Sequence, residues 1–550
     1  MHRPTAHTME GVGRRRRNGL HGAGARVSAA VLSVVIGITA QPGVAVTVDR
    51  DVVVYGATAA GAMAGVAAAR HGASVILLEP GRHVGGMVSG GLGRFDVDRQ
   101  KDLIGGLTLE FFKRLGAHYG ESVSWTTEPH VAEDLLRTML REAGVEVRFG
   151  QTLAAVDAEG TRLRLLRTRD GSMFTARVFV DASYEGDLLK ASGASYVVGR
   201  EGSDRYGESL AGRRELLPGH HQFRASVSPW RDGALLPFLT PQAKLVPVGA
   251  ADGRIQAYCY RLCLTDRAEN RLPITQPKDY SPARYELLRR YLAAMEERKG
   301  EGLRGPLGFA RIPNGKCDVN SSGPVSSNLP GANQDYPDAT PERRAEIAEE
   351  HRRWAHGLLY FLQNDPSVPP RVRNLCAPWG LCKDEFADNG GWPHQLYVRE
   401  ARRMLGEYVL TQHDLQQRRR KHDVIGMAGY NIDIREVQWV AVRTFHFPDA
   451  QDETFTEGYV SQPVEPWDIP YRAMLPRFSE CSNLLVPVCL SASTVAYASF
   501  RMEPNYMIAG HSAGTAAALA VRASVPVHNV SLERLQEELR ADGQVLRVAR

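Results

Sequence analysis

The sequence predicts an α/β fold: a layer of parallel strands and helices that is discontinuous along the chain, with a long α+β insertion. Three observations predict it. Residues 51–78 read strand, loop, helix, strand; residues 202–466 change texture, with more Pro, Asn and aromatic residues and no clean periodicity; and α/β character returns after residue 483. The chain has 550 residues, 43% hydrophobic and 23% charged, which is ordinary globular composition and long enough for two or three domains.

The β-branched run Asp51–Tyr55 predicts a buried strand. Residues 60–71 are Ala-rich and helical, Gly72 stops them, and Ser74–Leu78 is a second strand, giving a βαβ unit of the size that binds half a dinucleotide. A Gly-rich loop follows from Gly81 to Gly93, then an amphipathic helix over 131–143. Val145–Phe149, Arg162–Thr168 and Arg177–Val180 read as strands, with turns at Gly160 and Asp170–Gly171. Within the insertion, 342–362 and 397–417 read as helices. Asn483–Val488 is again a buried strand and Tyr506–Val521 a small-residue helix. The expected division is 1–45 leader, 49–200 first part of a Rossmann-like domain, 201–466 substrate or cap domain, 467–525 second part, and 526–550 tail.

The first chemical signal is Gly56-Ala-Thr58-Ala-Ala-Gly61, directly after the first strand. The first glycine permits the tight turn and the last lets helix and strand approach, while the helix start turns N–H groups and a positive partial charge toward phosphate. Thr58 departs from the full glycine fingerprint; its hydroxyl either narrows the approach or donates to a phosphate oxygen. Glu79 ends the second strand, 23 residues after Gly56, where an acid accepts hydrogen bonds from an adenosine ribose and repels the extra phosphate of NADP. The two Gly-Gly pairs of the 81–93 loop let backbone lie against something flat, which an NAD enzyme does not need.

With these residues in place, the sequence resembles the FAD-dependent oxidoreductases of the two-dinucleotide-binding-domain type, including bacterial members sometimes labelled xanthan-lyase-like. The likeness runs from about 51 to 522, through YGATAAG at 55–61, EPGRHVGGMVSGGLG at 79–93, DASYEGDLLKASGASYVVGRE at 181–201, IPNGK at 312–316 and WGLCKDEFADNGGWPHQLYVREARRM at 379–404. It continues through MAGYNID at 427–433, IPYRAMLP at 469–476 and NLLVPVCLSASTVAYASFRMEPNYMIAGHSAGTAAALA at 483–520. The resemblance implies bound FAD: Gly56, Thr58, Ala59, Ala60 and Gly61 at the pyrophosphate, Glu79 and Pro80 at the ribose, and Gly85, Gly86 and Met87 along the pyrophosphate and flavin. It also implies adenine against the backbone of Leu153, a second cofactor contact at Ala182 and Ser183, and Met502, Glu503 and Pro504 opening a helix toward the flavin pyrimidine. The implied reaction passes a hydride from a small organic substrate, polyhydroxylated or sugar-like among the options, to flavin N5, with electrons leaving to an acceptor the sequence does not identify.

Such a reaction needs a proton acceptor. His511, Asp433, Tyr430 and Arg435 are the candidates, and Asp384, Glu385, Arg399 and Glu400 form a further polar cluster that also reads as salt bridges and caps. Two positions depart from the family pattern: Thr494 stands where a histidine is common, and Ile434-Arg435 stands where the motif NIDSH continues with Ser-His. The competing readings are an NAD-dependent dehydrogenase, which leaves the 81–93 loop unexplained, and a carbohydrate-binding or lyase protein holding a non-redox flavin.

Arg14–Arg17 followed by the apolar run Val27–Ala40 and small residues at Gly43 and Ala45 read as an export signal, too short to span a bilayer. The expected location is therefore secreted or cell-envelope, and the adjacent arginines suit a route that exports folded protein. Residues 1–26 hold six Arg and one Glu, so they carry the whole formal charge of +5 and the remainder is neutral; no electrostatic case for nucleic acid survives. No later segment reads as a membrane span. The seven cysteines lack zinc-ligand spacing, no metal is expected, and Cys376–Cys382 is the candidate disulfide.

Overall fold

Val52, Val53 and Val54 are fully buried, as expected of a strand covered on both faces. They belong to β1 (Thr47–Tyr55) in a computed structural model that describes residues 47–548, apart from 98, 220, 300–304, 418 and 447–448. The expected leader lies outside the described residues. From β1 the chain runs through α1 (Ala59–Arg70), β2 (Val75–Glu79), α2 (Gly106–Tyr119), α3 (Pro129–Glu142) and β3 (Glu146–Phe149). It continues through β4 (Leu153–Glu159), β5 (Arg162–Thr168) and β6 (Met173–Asp181). The sheet order is β3-β2-β1-β6-β5-β4, parallel as far as β6 and antiparallel beyond, and Leu484–Leu485 adds a parallel strand to β6. Tyr55 pairs with Leu78 on one side and Asp181 on the other, so the carboxyl ends of the parallel strands share one edge, where ligands of such sheets bind.

The helix Glu503–Ala523 lies against α1 along a seam of small residues. A Cβ on Gly510 would sit 2.2 Å from the carbonyl oxygen of Ala60, and one on Gly514 2.2 Å from that of Ala64, so the approach depends on glycine. This brings the C-terminal helix onto the first βαβ unit, the discontinuity expected from sequence.

The inserted region carries a five-stranded antiparallel sheet in the order Arg271–Leu272, Gly380–Cys382, Leu262–Thr265, Lys316–Ser321, Leu307–Ile312, and the long helix Pro341–Asn364. The helix expected over 397–417 does not form; there are only a short strand at Arg403–Met404 and one turn-rich helix at Gln412–Gln416. Gly406 packs against the carbonyl of Leu475, and Arg399, Arg402 and Arg403 turn inward to buried acceptors, which an exposed amphipathic helix would forbid. The expected tail is also structured: Leu532–Ala541 is a helix with Leu535 and Leu539 fully buried. All seven cysteines are free thiols, and Cys376 does not pair with Cys382, which faces Cys263 instead. Among the described residues no helix is long and apolar enough to cross a membrane.

Candidate functional site

The turn after β1 builds the first half of the site. Gly56 has φ +94°, and a Cβ there would lie 2.7 Å from the amide nitrogen of Ser183, so glycine is required. Thr58 is the N-cap of α1: its Oγ1 accepts from Gly61 N at 3.2 Å and donates to the carbonyl of Ala182 at 2.7 Å. That removes one of the two readings, hydroxyl donation to phosphate, since the proton is spent on Ala182, while Thr58 still lines the cavities along this edge. Two cavities of about 310 and 300 Å³ run along this edge and share Thr58, Glu79, His394 and Gln395. One is lined by Gly81, His83 and Gly86, the other by Gly56, Pro80, Thr152, Ser183 and Tyr260. Each lies at the lower end of the range for ligand sites, and end to end they suit an elongated dinucleotide.

Glu79 accepts from Ala57 N and Gly81 N, both at 2.7 Å. Burial raises its carboxyl to about 7, against the lowering pull of those two amides. The Leu153 N–H, expected at the adenine, donates to the Tyr55 hydroxyl at 3.1 Å, and its neighbour Thr152 lines the cavity. The glycines of the 81–93 loop also serve the protein's own packing. A Cβ on Gly90 would lie 2.4 Å from Gln395 Cβ, and one on Gly91 2.1 Å from the carbonyl of Arg261.

Behind this loop, Met87 N donates to the Tyr184 hydroxyl at 2.9 Å, and that hydroxyl donates to Glu503 Oε1 at 2.6 Å. Met502 caps the closing helix and Glu503 and Pro504 form its first turn. The other carboxylate oxygen of Glu503 is buried without a partner, and burial raises the group to about 8. His394 stacks on His83 with centroids 3.9 Å apart, and both its ring nitrogens are buried without partners. Burial pulls His394 down to about 4, whereas Glu133 raises His83. Orphaned polar atoms at a helix start and beside a glycine turn mark a place built for a polar ligand.

A third cavity of about 310 Å³ is lined by Asp96, Arg99, Gln100, Gly429, Tyr430, Asn431 and Pro463. Asp96 follows the Gly-rich loop and presents its side chain to this space. Asp96 keeps an exposed surface toward this space, and desolvation by its neighbours raises its carboxyl, opposed by Arg261 and reinforced by Asp318 and Asp433. Beside it Arg501 Nη2 pairs with Asp433 Oδ2 at 2.9 Å, and Nη1 donates to the Tyr397 hydroxyl at 3.1 Å. The Tyr430 carbonyl accepts from Ser499 Oγ. Tyr430 and Asp433 thus meet at the entrance of the closing helix. Asp96 was not among the sequence candidates, since a single acid in a loop carries no periodic signal; Arg501 belongs to the segment 501–504 that the resemblance placed before the closing helix.

Two candidates fall elsewhere. His511 is completely buried two turns into the closing helix, with Nδ1 at 2.9 Å from Gln544 Oε1 and Nε2 at 2.9 Å from Asp542 Oδ2, and it lines none of these cavities. Arg435 is buried between Ser321, whose Oγ accepts at 2.7 Å, and the ring of Tyr459, and it lines none of the three cavities either. Thr494 lies in a buried network with Arg403 and Glu400, so the departure there changes packing rather than a cavity wall. The cluster read as Asp384, Glu385, Arg399 and Glu400 divides in two: Glu400 joins Arg403, while Lys316 Nζ bridges Glu128 at 2.7 Å, Asp384 at 2.9 Å and Glu385 at 2.6 Å. Glu128, His130 and Glu385 bring together three ligand atoms that suit a cation, and the Lys316 ammonium already bonds two of the three residues.

A nucleotide-binding edge closed by a C-terminal helix defines a dinucleotide-dependent α/β enzyme fold. A family model, FAD dependent oxidoreductase, matches residues 51–539, so the chain belongs to that family and its cofactor is FAD. Among solved structures it is similar to OxyS anhydrotetracycline hydroxylase from Streptomyces rimosus, 19% identical over 28% of this chain and 36% of that one, TM-score 0.23. It is also similar to a flavoprotein/dehydrogenase from Cytophaga hutchinsonii (17%, 27% and 42%, 0.21) and to L-amino acid deaminase from Proteus vulgaris (14%, 28% and 53%, 0.21). The chain thus spans between a third and just over half of the length of these structures. The residues present fit FAD: a helix start and glycine turn beside Glu79, then buried orphan atoms on His394 and Glu503.

Proposed function

We propose that this protein oxidises a small polar organic molecule, of the polyhydroxylated or sugar-like kind, held in the cavity between Asp96 and Tyr430. The observation that supports this most is the Asp96 carboxylate facing that cavity, with the Asp433–Arg501 pair behind it at the start of the closing helix. Bound FAD supplies the two-electron acceptor. Asp96 accepts the proton of the substrate hydroxyl, and its raised carboxyl is better matched to that task than an ordinary aspartate. Arg501 holds Asp433 and Tyr397 in fixed orientation, with Asp433 close to Asp96. Gly56, Ala59, Ala60 and Gly61 hold the pyrophosphate and Glu79 the ribose.

Anaerobic bleaching of the flavin by a panel of sugars, polyols, hydroxy acids and amines identifies the donor class. With that donor, Asp96→Asn should slow flavin reduction about 100-fold or more, with an unchanged flavin spectrum. Reduction in the native protein should rise with pH as Asp96 ionises, above the usual aspartate range. Equal reduction rates for both proteins would remove Asp96. The apolar run of 27–40 supports export of the mature chain, which N-terminal sequencing of the protein in the medium or envelope tests.

A further inference from the structure

Cys263 lies on the strand Leu262–Thr265 and Cys382 on its antiparallel neighbour Gly380–Cys382. The register pairs Leu264 with Leu381 and Thr265 with Gly380, which puts Cys263 directly opposite Cys382. Their sulfur atoms are 3.9 Å apart, and both residues are almost wholly buried, in a small apolar cluster with Ile312 and Phe386. Opposed residues on an antiparallel pair have Cα atoms roughly 4.5–5.5 Å apart, inside the range of about 4.4–6.8 Å that a disulfide spans. Small side-chain rotations therefore suffice to close the sulfurs to bonding distance, and no backbone shift is required.

We propose that Cys263 and Cys382 form a cross-strand disulfide when this chain folds in an oxidising compartment. The oxidant is a disulfide donor, glutathione disulfide or a dithiol–disulfide oxidase. One cysteine thiolate attacks a donor sulfur, forming a mixed disulfide and releasing one donor thiolate. The second cysteine then attacks the protein sulfur of that bond, forming Cys263–Cys382 and releasing the second thiol. Two thiol protons and two electrons leave the protein, and the donor disulfide is reduced to two thiols. Because both sulfurs are buried, the exchange takes place during folding rather than on the finished sheet, so the cross-link belongs to a chain that folds after export and not to one exported already folded.

The bond joins parts of the chain 119 residues apart. Each of its ends lies within three residues of a member of a charged cluster. Arg261, two residues before Cys263, pairs with Asp318, whose Oδ2 also accepts from Gly93 N and Arg94 N. Glu385, three residues after Cys382, bonds Lys316 and His130. The cross-link fixes the sheet that carries both. The remaining cysteines, Cys259, Cys317, Cys376, Cys481 and Cys489, stay as thiols.

The full chain is refolded with FAD in a glutathione redox buffer, then denatured and alkylated, and compared with chain refolded in dithiothreitol. The expected result is two fewer alkylated thiols than the seven in the sequence, and a proteolytic fragment joining the peptides of Cys263 and Cys382. Cys382→Ser should restore alkylation of Cys263, while Cys376→Ser should leave the joined fragment intact. The cross-linked protein should also melt at a higher temperature, and reductant added during refolding should abolish the difference. Alkylation of all seven cysteines in the oxidised sample, or a cross-link from Cys382 to Cys376, would overturn the proposal.

Discussion

Glu79→Gln should act in opposite directions on the empty protein and on cofactor binding. In the empty groove the carboxyl sits at about 7, raised by burial from an ordinary value of 4.5. A raised carboxyl costs the folded state nothing below its unfolded value and the full amount above its folded value. Each pH unit across that window is worth about 1.4 kcal/mol, so ionised Glu79 costs roughly 2–3 kcal/mol at pH 8 once partial access to water is allowed for. Glutamine removes that cost but also loses part of the pair of bonds from Ala57 N and Gly81 N, worth about 1 kcal/mol each. The variant apoprotein should therefore melt higher than the native apoprotein at pH 8 and no higher at pH 5. FAD binding should respond the other way: a ribose hydroxyl bonded to a carboxylate is worth about 1.5–3 kcal/mol, so affinity at pH 8 should fall about 10- to 100-fold. In the native protein affinity should rise between pH 6 and 8 as the carboxylate forms. Quenching of FAD fluorescence by titrated apoprotein measures both. A variant that binds FAD as tightly as the native protein at pH 8, or a native affinity flat from pH 6 to 8, would refute the assignment.

Other consequences can be checked in the same way. Gly510→Val places side-chain carbon against the carbonyl of Ala60; it should cost at least about 1–3 kcal/mol and lower FAD content in denaturant titrations that follow flavin release. His511→Ala should leave the flavin reduction rate unchanged by stopped flow, while costing about 1–3 kcal/mol because buried Gln544 loses a partner; Asp542 is exposed and keeps His71. Lys316→Met strands Glu128 and Glu385 as buried charges; it should cost about 3–5 kcal/mol at neutral pH, partly recovered by adding Glu385→Gln, as circular dichroism melts would show.

The nucleotide-binding edge was legible in the sequence because its signals are local. A strand of valines, a glycine turn and an alanine helix follow one another within 20 residues, so β1 and α1 appear where the pattern puts them. Glu79 is read from its spacing alone. Thr58 shows the limit: its residue type suits either a phosphate or a cap, and only the carbonyl of Ala182, 124 residues away, decides. The segment 397–417 failed for a related reason. Its arginines and glutamates mimic an exposed helical face, but their partners, such as the carbonyl of Gly199 and Glu201, come from distant chain and draw them inward. Asp96, Tyr430 and Arg501 share one corner only because a loop, a strand end and a helix start converge there. His511 looked chemical because of its residue type, and Asp542, 31 residues on, claims it for packing.

The glycine seam between α1 and the last long helix has a consequence for synthesis. A nascent chain that has just passed β6 possesses the phosphate turn and Glu79 but lacks the strand at Leu484–Leu485 and everything that presses on α1 from behind. Its cofactor cradle is open on one side until Ala523 has left the ribosome. The complete cradle for FAD is therefore assembled only once the closing helix has packed on α1.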